Sequence, residues 1–108
     1  QHTHSEALMI KHVVMLHLRA DYDPAELAGA MAGFDGLEIS GFTDFIHGVN
    51  SDLEHKTPDY PYGFICTFND LDALRRYQAD PAHRALGQRL VALCAGGAAG
   101  IMVMDLEV

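Results

Sequence analysis

From Ile10 onward the side chains fall into two alternating sets. Ile10, His12, Val14, Leu16 and Leu18 form one, and Lys11, Val13, Met15, His17 and Arg19 the other. A period of two predicts a strand. The first set is apolar apart from His12, and the second mixes Val and Met with charge, so material is expected on both sides of it. The period then lengthens. Asp23-Pro24-Ala25-Glu26 offers a capping carboxylate, a proline at the first helical position and an acid at the third. Leu27, Ala30, Met31 and Phe34 follow at spacings of three and four, which predicts a helix of about three turns with one apolar stripe, and Gly36 is placed to end it in the left-handed conformation.

Residues 39–49 carry Phe42, Phe45, Ile46 and Val49 among Gly and Thr, a β-rich run whose imperfect alternation predicts a second strand with a bulge. Residues 50–61 collect Ser51, Asp52, Glu54, Lys56, Pro58 and Pro61 and read as an exposed loop. A third strand follows, with Tyr62, Phe64, Cys66 and Phe68 alternating against Gly63, Ile65 and Thr67. Asn69 or Asp70 can cap a short helix over 71–78. Asp80-Pro81 then repeats the cap-and-proline start, so a second helix with Leu86, Leu90, Val91 and Cys94 on its buried side begins after a break at Asp80. Gly96 and Gly97 stop it, and residues 101–108 alternate as a closing strand. The order β-α-β-β-α-β predicts an α+β, ferredoxin-like fold: an antiparallel four-stranded sheet with its helices on one face. The other face would expose Val13, Met15 and Ile65, and packing against a second copy in a homodimer is the expected remedy.

With 108 residues the chain has room for one domain. Seven Lys and Arg against 15 Asp and Glu give a net charge of −8, a field that repels a phosphate backbone and argues against a nucleic-acid partner. No apolar run approaches the roughly 18 residues of a membrane-spanning helix, so no membrane partner is expected. The N-terminus reads Gln1-His2-Thr3-His4-Ser5-Glu6, without the basic and apolar regions of a secretory signal. Residues 1–8 are therefore set aside as a flexible leader to a domain over 9–108, and the expected compartment is the cytoplasm. Cys66 and Cys94 have no C-x-x-C partner and read as buried thiols. His17, His47 and His55 lack ligand spacing, and His2 and His4 lie in the leader, so no metal is expected. The glycines at 96–100 follow a helix where a phosphate cradle would precede one, so no nucleotide site is expected and no cofactor is implied.

Three segments together resemble the stress-responsive A/B barrel domain (Dabb) family of dimeric α+β barrels: Ile10-Lys11-His12-Val13-Val14, the run from Tyr62 to Asp70, and Tyr77-Gln78-Ala79-Asp80-Pro81-Ala82-His83. The resemblance implies a dimeric α/β barrel. Asp80 departs from the family, which more often has His before the Pro. In a plant polyketide cyclase of this family, a His and a Tyr near the start of the last helix promote an aldol condensation without metal or cofactor, and a His on the first strand lines the same pocket. By motif position these roles fall on His83, Tyr77 and His12, with Val14, Leu16 and Phe64 as apolar walls. The first helix, with Leu27, Ala28, Ala30 and Met31, is smaller than its counterpart there, so Leu27 and Met31 are expected to line a differently shaped pocket.

Each residue also has a plainer reading. His83, in the first turn of a helix whose dipole favours neutral imidazole, suits a base, yet it could simply bond the helix start. Tyr77 could be a core ring with a wet hydroxyl. His12 on an apolar strand needs a hydrogen-bond partner, in a site or outside one. Three functions are compatible with these residues. The first is a dimeric binder of a small apolar or aromatic molecule between sheet and helices. The second is a cofactor-free cyclase or lyase with His83 as base and Tyr77 polarising a carbonyl, and the third a cofactor-independent monooxygenase like other dimeric α+β barrels.

Overall fold

The alternating run at the start forms β1 (Ile10–Leu16), whose inner side chains Ile10, His12, Val14 and Leu16 are buried and whose outer ones are half-buried. The computed structural model describes residues 8–108, so residues 1–7 of the expected leader, with His2 and His4, lie outside the described residues. Past Leu16 the alternation continues without a full ladder. Leu18 makes a single bridge to Cys94, while His17 bonds the backbones of Gly100 and Ala95.

The helix α1 (Pro24–Asp35) starts where its cap predicts: the Asp23 carboxylate accepts from the Ala25 N–H at 2.9 Å, and Leu27, Ala30, Met31 and Phe34 are its buried side. Gly36 is not left-handed. At φ −88° and ψ 0° its N–H still reaches the Ala32 and Phe34 carbonyls, so the helix winds down through a tightened last turn that any residue can adopt. Glycine is needed further on, at Gly41, where φ is +86° and an added Cβ would stand 2.6 Å from that of Ala73. That turn delays β2 (Phe42–Val49) by three residues from its expected start at 39. The expected bulge is present. The register against β3 (Tyr62–Phe68) slips between Thr43 and Ile46, where Asp44 takes φ 56°.

Two helices follow, α2 (Leu71–Ala79) and α3 (Pro81–Leu93), and one residue both separates and caps them. Asp80 leaves the helical region at φ −69° and ψ 125°, as a residue before proline tends to, and its carboxylate accepts from the His83 N–H at 2.9 Å. Gly96 and Gly97, both at positive φ, turn the chain through a short 3-10 segment into β4 (Ile101–Glu107). The sheet order is β2-β3-β1-β4 with every pairing antiparallel. This is the ferredoxin-like α+β arrangement expected from the element order.

The sheet's inner face and the helices share one core, centred on Phe34, Phe64, Phe68, Leu16 and Met31. Its outer face carries Val13 in register with Ile65 and Met104, Met15 with Met102, and Lys11 with Leu106. Ile46 and Leu106 there are 62% and 54% exposed, and no element among the described residues covers them.

Candidate functional site

The break at Asp80 brings two ring-bearing residues together that lie six positions apart. Tyr77, at the end of α2, and His83, in the first turn of α3, have ring centroids 3.6 Å apart at 31°. His12 reaches them from the sheet, its ring edge-on to Tyr77 at 5.3 Å and to Phe68 at 5.4 Å. All three line one hollow of about 240 Å³ between the sheet and α3, walled by Val14, Phe34, Phe64, Leu90, Ile101 and Val103.

His12 is buried on an apolar strand, and the partner that burial requires is Asp105, whose Oδ1 lies 2.6 Å from His12 Nδ1. Facing a carboxylate, which accepts, His12 Nδ1–H is the donor. Asp105 was not among the residues expected from sequence. Its signal is positional: β4 alternates Ile101, Val103, Asp105 on the inner side, and Asp105 stands directly across from His12. Only the strand pairing brings the two together.

His83 Nδ1 is buried and has no well-formed hydrogen-bond partner. Burial lowers this imidazole's pKa, with His12 adding to the effect, against the opposing pull of the Tyr77 main-chain carbonyl and the Asp80 carboxylate. The neutral ring can accept a proton or a hydrogen bond. Tyr77 is 2% exposed; burial first, then the charges of Cys66 and Asp105, push its phenol far above the usual range, so it stays a neutral hydroxyl, able to donate but not to act as a phenolate base. The Cys66 thiol is pushed up to about 12 by burial and by Asp105, so it is no nucleophile. The hollow is thus lined by a neutral imidazole, a phenol, and a second imidazole paired with a carboxylate. No group of three or more His, Cys, Asp or Glu able to hold a metal occurs among the described residues.

The remaining expected wall residues separate. Val14 and Phe64 line the hollow. Leu16, fully buried, is core beneath it and has no surface in it. Leu27 and Met31 line a different, open cleft of about 470 Å³ between α1 and the β2 side of the sheet, together with Ala28, Asp35, His47 and Tyr62. There His47 Nδ1 and the Tyr62 hydroxyl lie 2.5 Å apart. A third depression, about 320 Å³, lies on the outer sheet face over Gly48 and Gly63.

Known proteins agree with this architecture. A dimeric ferredoxin-like protein of unknown function from Jannaschia sp. superimposes with a TM-score of 0.88 at 48% identity, over 93% of this chain and 99% of that one. Hydroxynitrile lyase from Passiflora edulis shares the fold at 10% identity, with a TM-score of 0.78 and 93% of each chain covered. A cofactor-independent oxygenase from Streptomyces nogalater shares it at 20% identity and a TM-score of 0.62, over 93% of this chain and 91% of that one. No curated protein matches the chain. The stress responsive A/B barrel domain (Dabb) matches residues 10–108, which takes in every strand and helix of the fold, and the chain belongs to that family.

Proposed function

We propose that the protein is a homodimeric binder of a small apolar or aromatic molecule held in the hollow between sheet and helices. The observation that carries this reading is the convergence of His12, Tyr77 and His83 on one 240 Å³ space. The apolar walls supply the contact area and the three polar side chains supply orientation. Pairing through the outer sheet face would bury Val13, Met15, Ile65 and Met104. The Jannaschia protein, 48% identical, is described as dimeric, which supports the same assembly here. The acidic balance argues against a nucleic-acid partner, no described helix is long and apolar enough to cross a membrane, and the free, buried Cys66 and Cys94 go with a reducing, cytoplasmic setting.

A second reading, a cofactor-free lyase or cyclase, is favoured by the lowered pKa of His83 beside a phenol that cannot ionise. In it, neutral His83 removes a proton next to a carbonyl, Tyr77 donates to the developing oxyanion, and His12, held by Asp105, orients the substrate. A hydroxynitrile lyase and a cofactor-independent oxygenase among the proteins that share the fold keep this reading and a monooxygenase-like one in view. The experiment is His83→Ala, assayed on phenolic and polyketide-like compounds. A binder keeps its affinity within a few-fold, whereas an enzyme of this kind loses turnover by about 100-fold or more. No binding and no turnover by the wild type across such a panel would contradict both readings.

A further inference from the structure

The outer sheet face is uneven, and the unevenness has a pattern. Across the strands, in the order β2-β3-β1-β4, one row of outward residues reads Ile46, Ile65, Val13, Met104, and the next reads Gly48, Gly63, Met15, Met102. Neither row holds a charge. The first is filled from edge to edge, while the second has two methionines on its β1–β4 half and two glycines on its β2–β3 half. That empty half is the floor of the depression of about 320 Å³, rimmed by Ile46, Val49, Asn50 and Ile65. The two glycines differ. An added Cβ at Gly63 would stand 2.4 Å from Met15 Sδ, so Met15 already leans over that position, whereas one at Gly48 would meet nothing within 4 Å among the described residues. The socket is open over Gly48.

We propose that Met102 of a second copy of the chain fills this socket, seated over Gly48, and that the contact is made twice in one symmetric dimer. This rests on the homodimer reading above and assigns its contacts. A two-fold axis lying between paired sheets and along the strands, midway between β3 and β1, places each row opposite itself in reversed order. The β4 edge of one copy then faces the β2 edge of the other, and β1 faces β3. Met102 falls on Gly48 of the second copy, the two Met15 side chains meet beside the axis, and Met104 falls on Ile46. The second row is thus complementary to its own reverse: what projects on one half is missing from the other. Methionine suits such a socket, since its unbranched thioether chain adapts to an irregular gap. The protomer itself gives no reason for glycine at 48, where φ is not positive and no neighbour in the chain crowds the position. A glycine inside a strand weakens it, and close approach of another chain is a reason to have one there.

The test is a double-mutant cycle on the dimer, read by sedimentation over a range of protein concentrations. Gly48 and Met102 sit on opposite edges of one sheet, about 14 Å apart across three strand spacings, too far to couple within a protomer. Coupling between them therefore reports contact between copies. Gly48→Val, which suits a strand and meets nothing in its own chain, should raise the dimer dissociation constant by about 10-fold or more. Gly48→Ala, the smaller step, should act in the same direction and serves if the valine variant does not fold. Met102→Ala, which empties both sockets of the dimer, should weaken association by a similar factor. In the double variant Gly48→Val/Met102→Ala the valine takes the space the methionine left, so association should be no weaker than in Met102→Ala alone. Effects that simply multiply, or Gly48 variants that dimerise as tightly as wild type, would overturn the socket while leaving the homodimer intact. Wild type that sediments as a monomer at every concentration would overturn both.

Discussion

Neighbouring residues of β1 face two different environments, and the contrast explains much of the molecule. Leu16 and His12 look inward, under helices, where Leu16 is fully enclosed and His12 is held by Asp105. Met15 and Val13 look outward across a sheet face that nothing among the described residues covers. The inner face is finished: its apolar positions are packed and its polar ones are gathered around one small space. The outer face is apolar without being packed, which is the signature of a surface that meets another surface. A single strand with a period of two therefore presents one face to the proposed site and the other to the proposed dimer contact, and the side a residue takes decides which of the two it would affect.

The largest expected effect separates adjacent residues on opposite faces. Leu16→Ala should cost about 2–5 kcal/mol of stability, because the cavity it leaves cannot collapse fully. Met15→Asp should leave the protomer fold in place but abolish association, seen as a monomer in sedimentation. Equal stability losses in the two variants, or a Met15→Asp protein that stays dimeric, would erase the contrast between the faces.

Next in size is the pair that holds the site to the sheet. Asp105→Ala leaves His12 Nδ1–H buried without its acceptor, a loss of about 1–3 kcal/mol measurable by urea titration at neutral pH. The double variant with His12→Phe should recover part of it, since the unsatisfied donor is then gone. A single variant as stable as wild type would mean the pair is incidental.

The smallest effect is in pH. Burial holds the His83 pKa below its ordinary 6.5, so on acidification the unfolded chain takes up that proton first. This residue's contribution is therefore complete above about pH 6.5 and declines as the solution is made more acidic. Urea midpoints at pH 7.5 and 5.5 should differ more in wild type than in His83→Gln, and identical pH responses would place His83 in water.

What the sequence made legible was what short-range chemistry decides. Asp23-Pro24 and Asp80-Pro81 mark helix starts by side chain-to-backbone bonds that span a few residues, and both occur as read. The alternation of Tyr62, Phe64, Cys66 and Phe68 likewise needs no distant partner to identify its strand. The Tyr77–His83 pairing could be anticipated because one break sets it. What escaped depends on contacts between distant segments. Asp105 matters only through the β1–β4 register, 93 positions from His12. Leu27 and Met31 are set apart from the cluster only once Phe34, Phe45 and Phe64 have packed between helix and sheet. Gly36 looked like a left-handed stop, yet the last turn tightened instead, a choice made by the chain beyond it.

The most direct test of the central claim is a crystal structure of the protein with p-cresol. The account predicts density for the ligand in the hollow lined by His12, Tyr77 and His83. Density in the cleft beside Leu27 and Met31 instead, with the hollow at His12, Tyr77 and His83 empty, would contradict it.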